Sequence, residues 1–145
     1  MNTERVTPYV SHPVRAVRRR IEREHGSVVY GIECCANAVT ESWETPHCED
    51  ASAIAQPLRD RLESAGLLSA LSLVLTDLVE SAGFTLSAPP VAAPPYVVVT
   101  SRGPILRATI APGRLVVRFE VFEVTREPNT RYRRLEGLRV SVSLE

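Results

Sequence analysis

Residues Ser87–Val124 read SAPPVAAPPYVVVTSRGPILRATIAPGRLVVRFEVFEV. Two proline pairs, Pro89-Pro90 and Pro94-Pro95, end any helix that precedes them, because proline lacks an N–H and its ring clashes with the turn before it. Three runs rich in β-branched residues follow, Tyr96–Ser101, Ile105–Ile110 and Leu115–Thr125. Arg102-Gly103-Pro104 and Ala111-Pro112-Gly113-Arg114 split them as turns. The stretch sets the fold class as α+β, with helices first and an antiparallel sheet second.

Toward the C-terminus, Leu115, Val117, Phe119 and Val121 alternate with Val116, Arg118, Glu120 and Phe122. The two faces of that strand are unequal, although the outer one still carries an aromatic. Arg126–Gly137, around Pro128-Asn129, reads as a charged loop. Leu138–Leu144 alternates Leu138, Val140, Val142 and Leu144 with Arg139, Ser141 and Ser143, a fourth strand with one wet face.

Toward the N-terminus, Ser87–Pro95 is a stiff connection and Phe84–Ser87 a short edge strand. Ser11 is a helix cap with Pro13 in the first turn. Val14, Val17, Ile21, Val28, Ile32, Cys35 and Val39 then recur on one helical face. A continuous helix from Pro13 to Trp43 would be roughly 46 Å long, against a domain diameter of roughly 38 Å. It must overhang or bend, and Gly26 is the expected break. Glu44–Asp50 reads as a polar turn. A second helix covers about Ser52–Ala65, with Pro57 arguing for a late start, and a third covers Leu67–Ala82.

The expected architecture is a single two-layer domain over 1–145. About three N-terminal helices pack on one face of a C-terminal four-stranded antiparallel sheet. Residues 1–10 form a flexible arm, 11–83 the helical half, 84–95 the Pro-rich connection and 96–145 the sheet.

Composition narrows the function without naming it. The formal net charge is zero, so there is no global pull toward nucleic acid or an anionic membrane. All 17 basic residues are arginine. Three cysteines, Cys34, Cys35 and Cys48, are too few for a secreted disulfide framework. The first twenty residues hold no apolar core of signal-peptide length. The apolar stretch Leu67–Val79 is interrupted by Ser69, Ser72, Thr76 and Asp77, too short and polar to span a bilayer. The expected setting is cytoplasmic.

The run Ala88–Thr109, above all APPYVVVTSRGPILRAT, resembles a segment from small uncharacterised proteins of halophilic archaea. The resemblance extends back through RRRIEREHGSVVYGIE, residues 18–33. It implies a cytoplasmic location and carries no activity and no site residues. The neutral charge departs from the acidity usual in such organisms; the avoidance of lysine fits.

Chemistry-bearing patterns are sparse. Cys34, Cys35, His47 and Cys48 are zinc-type ligands. Both pairs are adjacent in sequence, however, and neighbouring helical residues point about 100° apart; no metal and no cofactor is expected. The chain has no G-x-S-x-G, no S-x-x-K and no Gly-rich phosphate loop, and no catalytic residue is assigned. Asp77 and Glu80 fall on the polar side of the third helix as a solvated pair.

Arg107, Arg118 and Arg139 share one exposed sheet face. Together with Arg102, and with Tyr96, Phe122 or Tyr132 among them, they form the candidate surface for an anion. Nine arginines against seven acids from residue 66 onward leave a balance of two positive charges. Ser27, Gly31, Cys34 and Ala38 line a small-residue stripe that lets a second helix approach closely, either one of the following helices of the same chain or, as a self-association seam, one from a second copy.

The leading expectation is a non-enzymatic protein-interaction or self-associating module, a homodimer among its forms. The alternative is nucleic acid or another anionic ligand on the arginine face, and the third reading is a small enzyme with its pocket at Ser101–Pro104.

Overall fold

A computed structural model describes the backbone of residues 8–145 and the side chains from His12 onward. The arm expected over residues 1–10 lies outside the described residues as far as position 7. Pro8, Tyr9 and Val10 belong to the first helix, α1 (Pro8–Glu24), which starts ahead of the expected Ser11 cap and holds Pro13 in its interior.

The long N-terminal helix is broken where Gly26 was expected to break it. His25, at φ −121°, separates α1 from α2 (Gly26–Thr40). α3 (Ser52–Ser64) and α4 (Leu67–Ser81) follow, so the helical half contains four helices rather than three. α3 does not start late: Pro57 sits inside it. The Asp50 carboxylate, one residue ahead of the Ala51 N-cap, accepts from the Ser52 N–H at 3.0 Å and the Ser52 hydroxyl at 2.7 Å, which holds the chain at the helix entry ahead of the proline.

The sheet has five strands rather than four: β1 (His47–Cys48), β2 (Val97–Thr100), β3 (Gly103–Ile110), β4 (Gly113–Thr125) and β5 (Arg131–Leu144). Their order is β1-β5-β4-β3-β2 and every pairing is antiparallel. β2 to β5 form a meander. β1, expected as part of a polar turn, joins the far edge through His47↔Arg133 and Cys48↔Tyr132. Phe84–Ser87 is not a strand; Phe84 and Leu86 are half-buried against the core as the chain crosses from α4 to β2.

Two irregularities explain the other departures. Arg102 carbonyl accepts from both Val121 N–H (2.8 Å) and Phe122 N–H (3.2 Å), so two residues of β4 oppose one carbonyl. This bulge turns Phe122 inward, and it becomes fully buried, with its ring 5.8 Å from that of Trp43. The aromatic expected on the outer face is therefore core. Beyond the bulge the register jumps from Glu120↔Arg139 to Phe122↔Arg134, so β5 carries extra residues there. Arg131–Gly137, expected as loop, is the first half of β5.

All four helices cover one face of the sheet. Val97, Leu106, Ala108, Leu115, Val117, Phe119 and Val142 point into the same core as Ile32, Leu58, Leu71, Leu75 and Leu78. Each fully buried large apolar side chain in that layer contributes roughly 1.5–3 kcal/mol. The opposite face of the sheet carries no element of the chain among the described residues.

Candidate functional site

The cross-strand register places Arg107, Arg118 and Arg139 on the bare face together with Val98, Ile105, Val116, Glu120, Ser141 and Ser143. Arg102 reaches the same face from the β2–β3 turn. Val116 is only 1% exposed although no helix covers it. Arg107 stands directly across from it and Arg118 two residues along, and their aliphatic stems shield it.

The guanidinium heads are another matter. Glu120, with a side chain 14% exposed, receives Arg102 at 3.3 Å on one oxygen and Arg139 at 3.6 Å on the other. Arg118 reaches the Glu145 carboxylate at 3.4 Å and the Ser143 hydroxyl at 3.4 Å. Arg133 pairs with Glu123 directly across from it on β4. Three of the four arginines expected to bind an anion are thus already partnered by the chain's own carboxylates, and Glu120 sits in the middle of them. Arg107 has no carboxylate partner among the described residues.

Arg134 does structural work that its sequence context did not suggest. Its guanidinium fills the β5 bulge and donates to the carbonyls of Val121 (3.1 Å), Leu135 (2.7 Å) and Gly137 (2.6 Å), and to Asn37 Oδ1 on α2 (3.0 Å). Burial pulls its pKa below the ordinary arginine value. It ties the irregular strand to the helical layer and is not available to a ligand.

Asp77, expected in solvent, is instead a junction. Arg20 of α1 donates to it through Nε (2.8 Å) and Nη2 (2.9 Å), and His25 Nε2 lies 2.6 Å from Oδ2. The bidentate Arg20 guanidinium holds this carboxyl below its usual range, with burial opposing and His25 adding a second donor. A depressed carboxylate pKa stabilises the fold above the unfolded value of about 3.9, and the contribution is lost as pH falls through the lower folded value. Asp77→Asn is expected to lower the urea midpoint at neutral pH, with the gap to wild type closing as the pH falls below the unfolded carboxylate value of about 3.9 and through the lower folded one. A gap that does not change with pH contradicts the role given to the charge.

The zinc-type residues do not converge. Cys34 is exposed on α2, Cys35 points into the core, Cys48 is half-buried on β1, and no group of three or more His, Cys, Asp or Glu is placed to hold a metal among the described residues. Burial raises the Cys35 thiol pKa, which lowers its reactivity. The recess beside Ser101–Pro104 measures about 90 Å³, well below the roughly 300–1,000 Å³ of small-molecule sites. Its charged lining residues are the paired Arg102, Arg118 and Glu120. No single helix is long and apolar enough to cross a membrane among the described residues.

On the helical side, Tyr30 of α2 is 68% exposed and Leu73 of α4 is 72% exposed. The first half of α2 packs along α4 in the opposite chain direction. A Cβ on Gly31 would sit 3.0 Å from the Leu67 side chain, and Asp77 holds His25 at the start of α2. Leu73 falls between those two contacts, so both exposed side chains decorate one helix pair. Within the small-residue stripe, Gly31 serves the internal contact with Leu67, while Ser27 and Cys34 face outward beside Tyr30.

One family model, described as Domain of unknown function (DUF7988), matches residues 15–145. No curated protein and no solved structure matches the chain.

Proposed function

The chain belongs to the DUF7988 family of domains of unknown function, and from that premise we propose that it is a non-enzymatic module that works by binding a second copy of itself through the α2–α4 face. The observation that carries this reading is the joint exposure of Tyr30 and Leu73 on adjacent helices. A scattered exposed leucine is ordinary. Two large side chains exposed on one helix pair, with the small Ser27 and Cys34 flanking Tyr30 along α2, offer a surface that a partner helix can approach closely. A two-fold contact doubles the patch because each copy offers the same surface.

Charge supports the same choice. The bare sheet face neutralises most of its own arginines, so it adds no strong field that would drive copies apart or draw in a polyanion. Nucleic acid laid across Arg102, Arg107, Arg118 and Arg139 would bring phosphates against Glu120, and that alternative is the weaker of the two.

Size-exclusion chromatography with light scattering tests the reading. Wild type is expected at twice the 16.0 kDa chain mass at high concentration. Leu73→Arg and Tyr30→Arg are expected at the single-chain mass with unchanged melting temperatures, since both positions are exposed. A wild type that stays monomeric at high concentration overturns it.

A further inference from the structure

β2 is shorter than its partner. Its pairing with β3 ends at Val97↔Leu106, followed by one more bond from Arg107 N–H to the Tyr96 carbonyl at 2.9 Å. Pro95 and Pro94 then carry the chain away, because proline has no N–H to continue the ladder. The outer half of β3 is left with an open edge, and the returning segment Leu86–Ala88 passes beside it. Between them lies a cleft of about 360 Å³, within the size range of small-molecule sites.

Its lining is chemically specific. Arg107 and Arg114 face it together with Tyr96, Thr109, Ser87 and Leu86. Thr109 pairs with Arg114 and Arg107 with Val116, so the two arginines are diagonal neighbours on the same face of the sheet. Such positions lie roughly 7–8 Å apart at the backbone, within reach of two long side chains converging on one group. Neither guanidinium has a carboxylate partner among the described residues. The Glu145 carboxylate is engaged by Arg118, and the Glu145 main-chain oxygen accepts the Arg114 main-chain N–H at 2.8 Å, leaving that side chain free.

We propose that this cleft binds a small phosphate monoester carrying one flat aromatic base, in the size class of a nucleoside monophosphate. Two planar forks suit the tetrahedral oxygens of a phosphate, which accept paired N–H donors. The Thr109 and Ser87 hydroxyls add donors at the rim. The Tyr96 ring and Leu86 supply the apolar wall on which a flat ring lies. The site is distinct from the four-arginine surface read from the sequence. It shares only Arg107 with it, and its second cation, Arg114, falls by sequence pattern in the Ala111–Arg114 turn. It is independent of the α2–α4 face and stands whether or not the chain self-associates.

The test is an NMR titration of the full chain at low ionic strength with adenosine monophosphate, adenosine and a short single-stranded RNA. The monophosphate is expected to move the amide signals of Tyr96, Arg107, Thr109 and Arg114, with adenosine leaving them in place. Arg107→Met with Arg114→Met is expected to weaken binding at least tenfold while the remaining amide signals keep their positions; Arg107→Lys retains part of the affinity. The proposal is overturned by no response to millimolar monophosphate, by an equal response to adenosine, or by undiminished binding in the folded double variant. It is also overturned by an RNA response that spreads to Arg118 and Arg139 and strengthens with length, which would mark a polymer track across the sheet instead.

Discussion

Gly103→Ala is expected to destabilise the protein by at least about 3 kcal/mol, a large share of the roughly 5–15 kcal/mol available to a domain. Gly103 opens β3 at φ +145°, a conformation that residues with a Cβ rarely adopt. A Cβ built there would lie 1.9 Å from the Phe119 carbonyl oxygen and 3.0 Å from its carbon. The obstacle is backbone in the central strand, just ahead of the β4 bulge, and the two bonds to the Arg102 carbonyl hold that bulge against the β2–β3 turn. Relief would require pulling β4 away from the turn and losing those bonds.

The control is Gly26→Ala. Nothing lies within 4 Å of a Cβ on Gly26, at the first position of α2. Thermal denaturation followed by circular dichroism is expected to show the Gly103 variant melting about 10 °C lower or failing to fold. The Gly26 variant is expected within a few degrees of wild type. Equal melting temperatures for the two variants would show that the turn is not as close to β4 as described.

The second large effect is expected at Phe119. Its side chain is buried at the centre of β4, across from Val140 of β5, under the helical layer. Phe119→Ala removes most of its apolar area and leaves a cavity that neighbours on a fixed sheet fill poorly, a change costing about 3–5 kcal/mol. Phe119→Leu keeps most of the volume and is expected to cost well under half as much. Guanidinium denaturation of the two variants checks this through the shift in midpoint at constant slope. An alanine variant within about 1 kcal/mol of wild type would place Phe119 outside the core.

Much of the architecture was legible because it rests on local chemistry. The proline pairs separate the helical half from the sheet, Gly26 marks the break beside His25, and the alternation Leu115–Phe119 gives the buried face of β4. What the sequence hides is set by partners. His47 and Cys48 form a strand only because β5 offers them an edge. The first half of β5 looks like a loop because Arg131, Arg133, Arg134 and Glu136 interrupt its apolar alternation, and its extra residues at the bulge destroy the period of two.

The candidate site shows the same division. That Arg107, Arg118 and Arg139 share a face follows from strand alternation. That Glu120 neutralises Arg102 and Arg139 depends on a turn folding back and on a register jump that no local pattern reports. Arg114 looks like part of a turn because the apolar alternation begins at Leu115; the two-residue Ala111-Pro112 hairpin instead places it opposite Thr109. Asp77 lies off the apolar stripe, as its helical spacing predicts, but its partner Arg20 lies 57 residues away in the chain.

The most direct measurement is a concentration series of amide NMR spectra on the wild-type chain, from dilute to concentrated. Signals of Ser27, Tyr30, Cys34 and Leu73 are expected to move together with concentration, while those of Ile105, Val116 and Ser141 on the bare sheet stay fixed. Spectra that do not change with concentration, or changes confined to the sheet, would contradict self-association through α2 and α4.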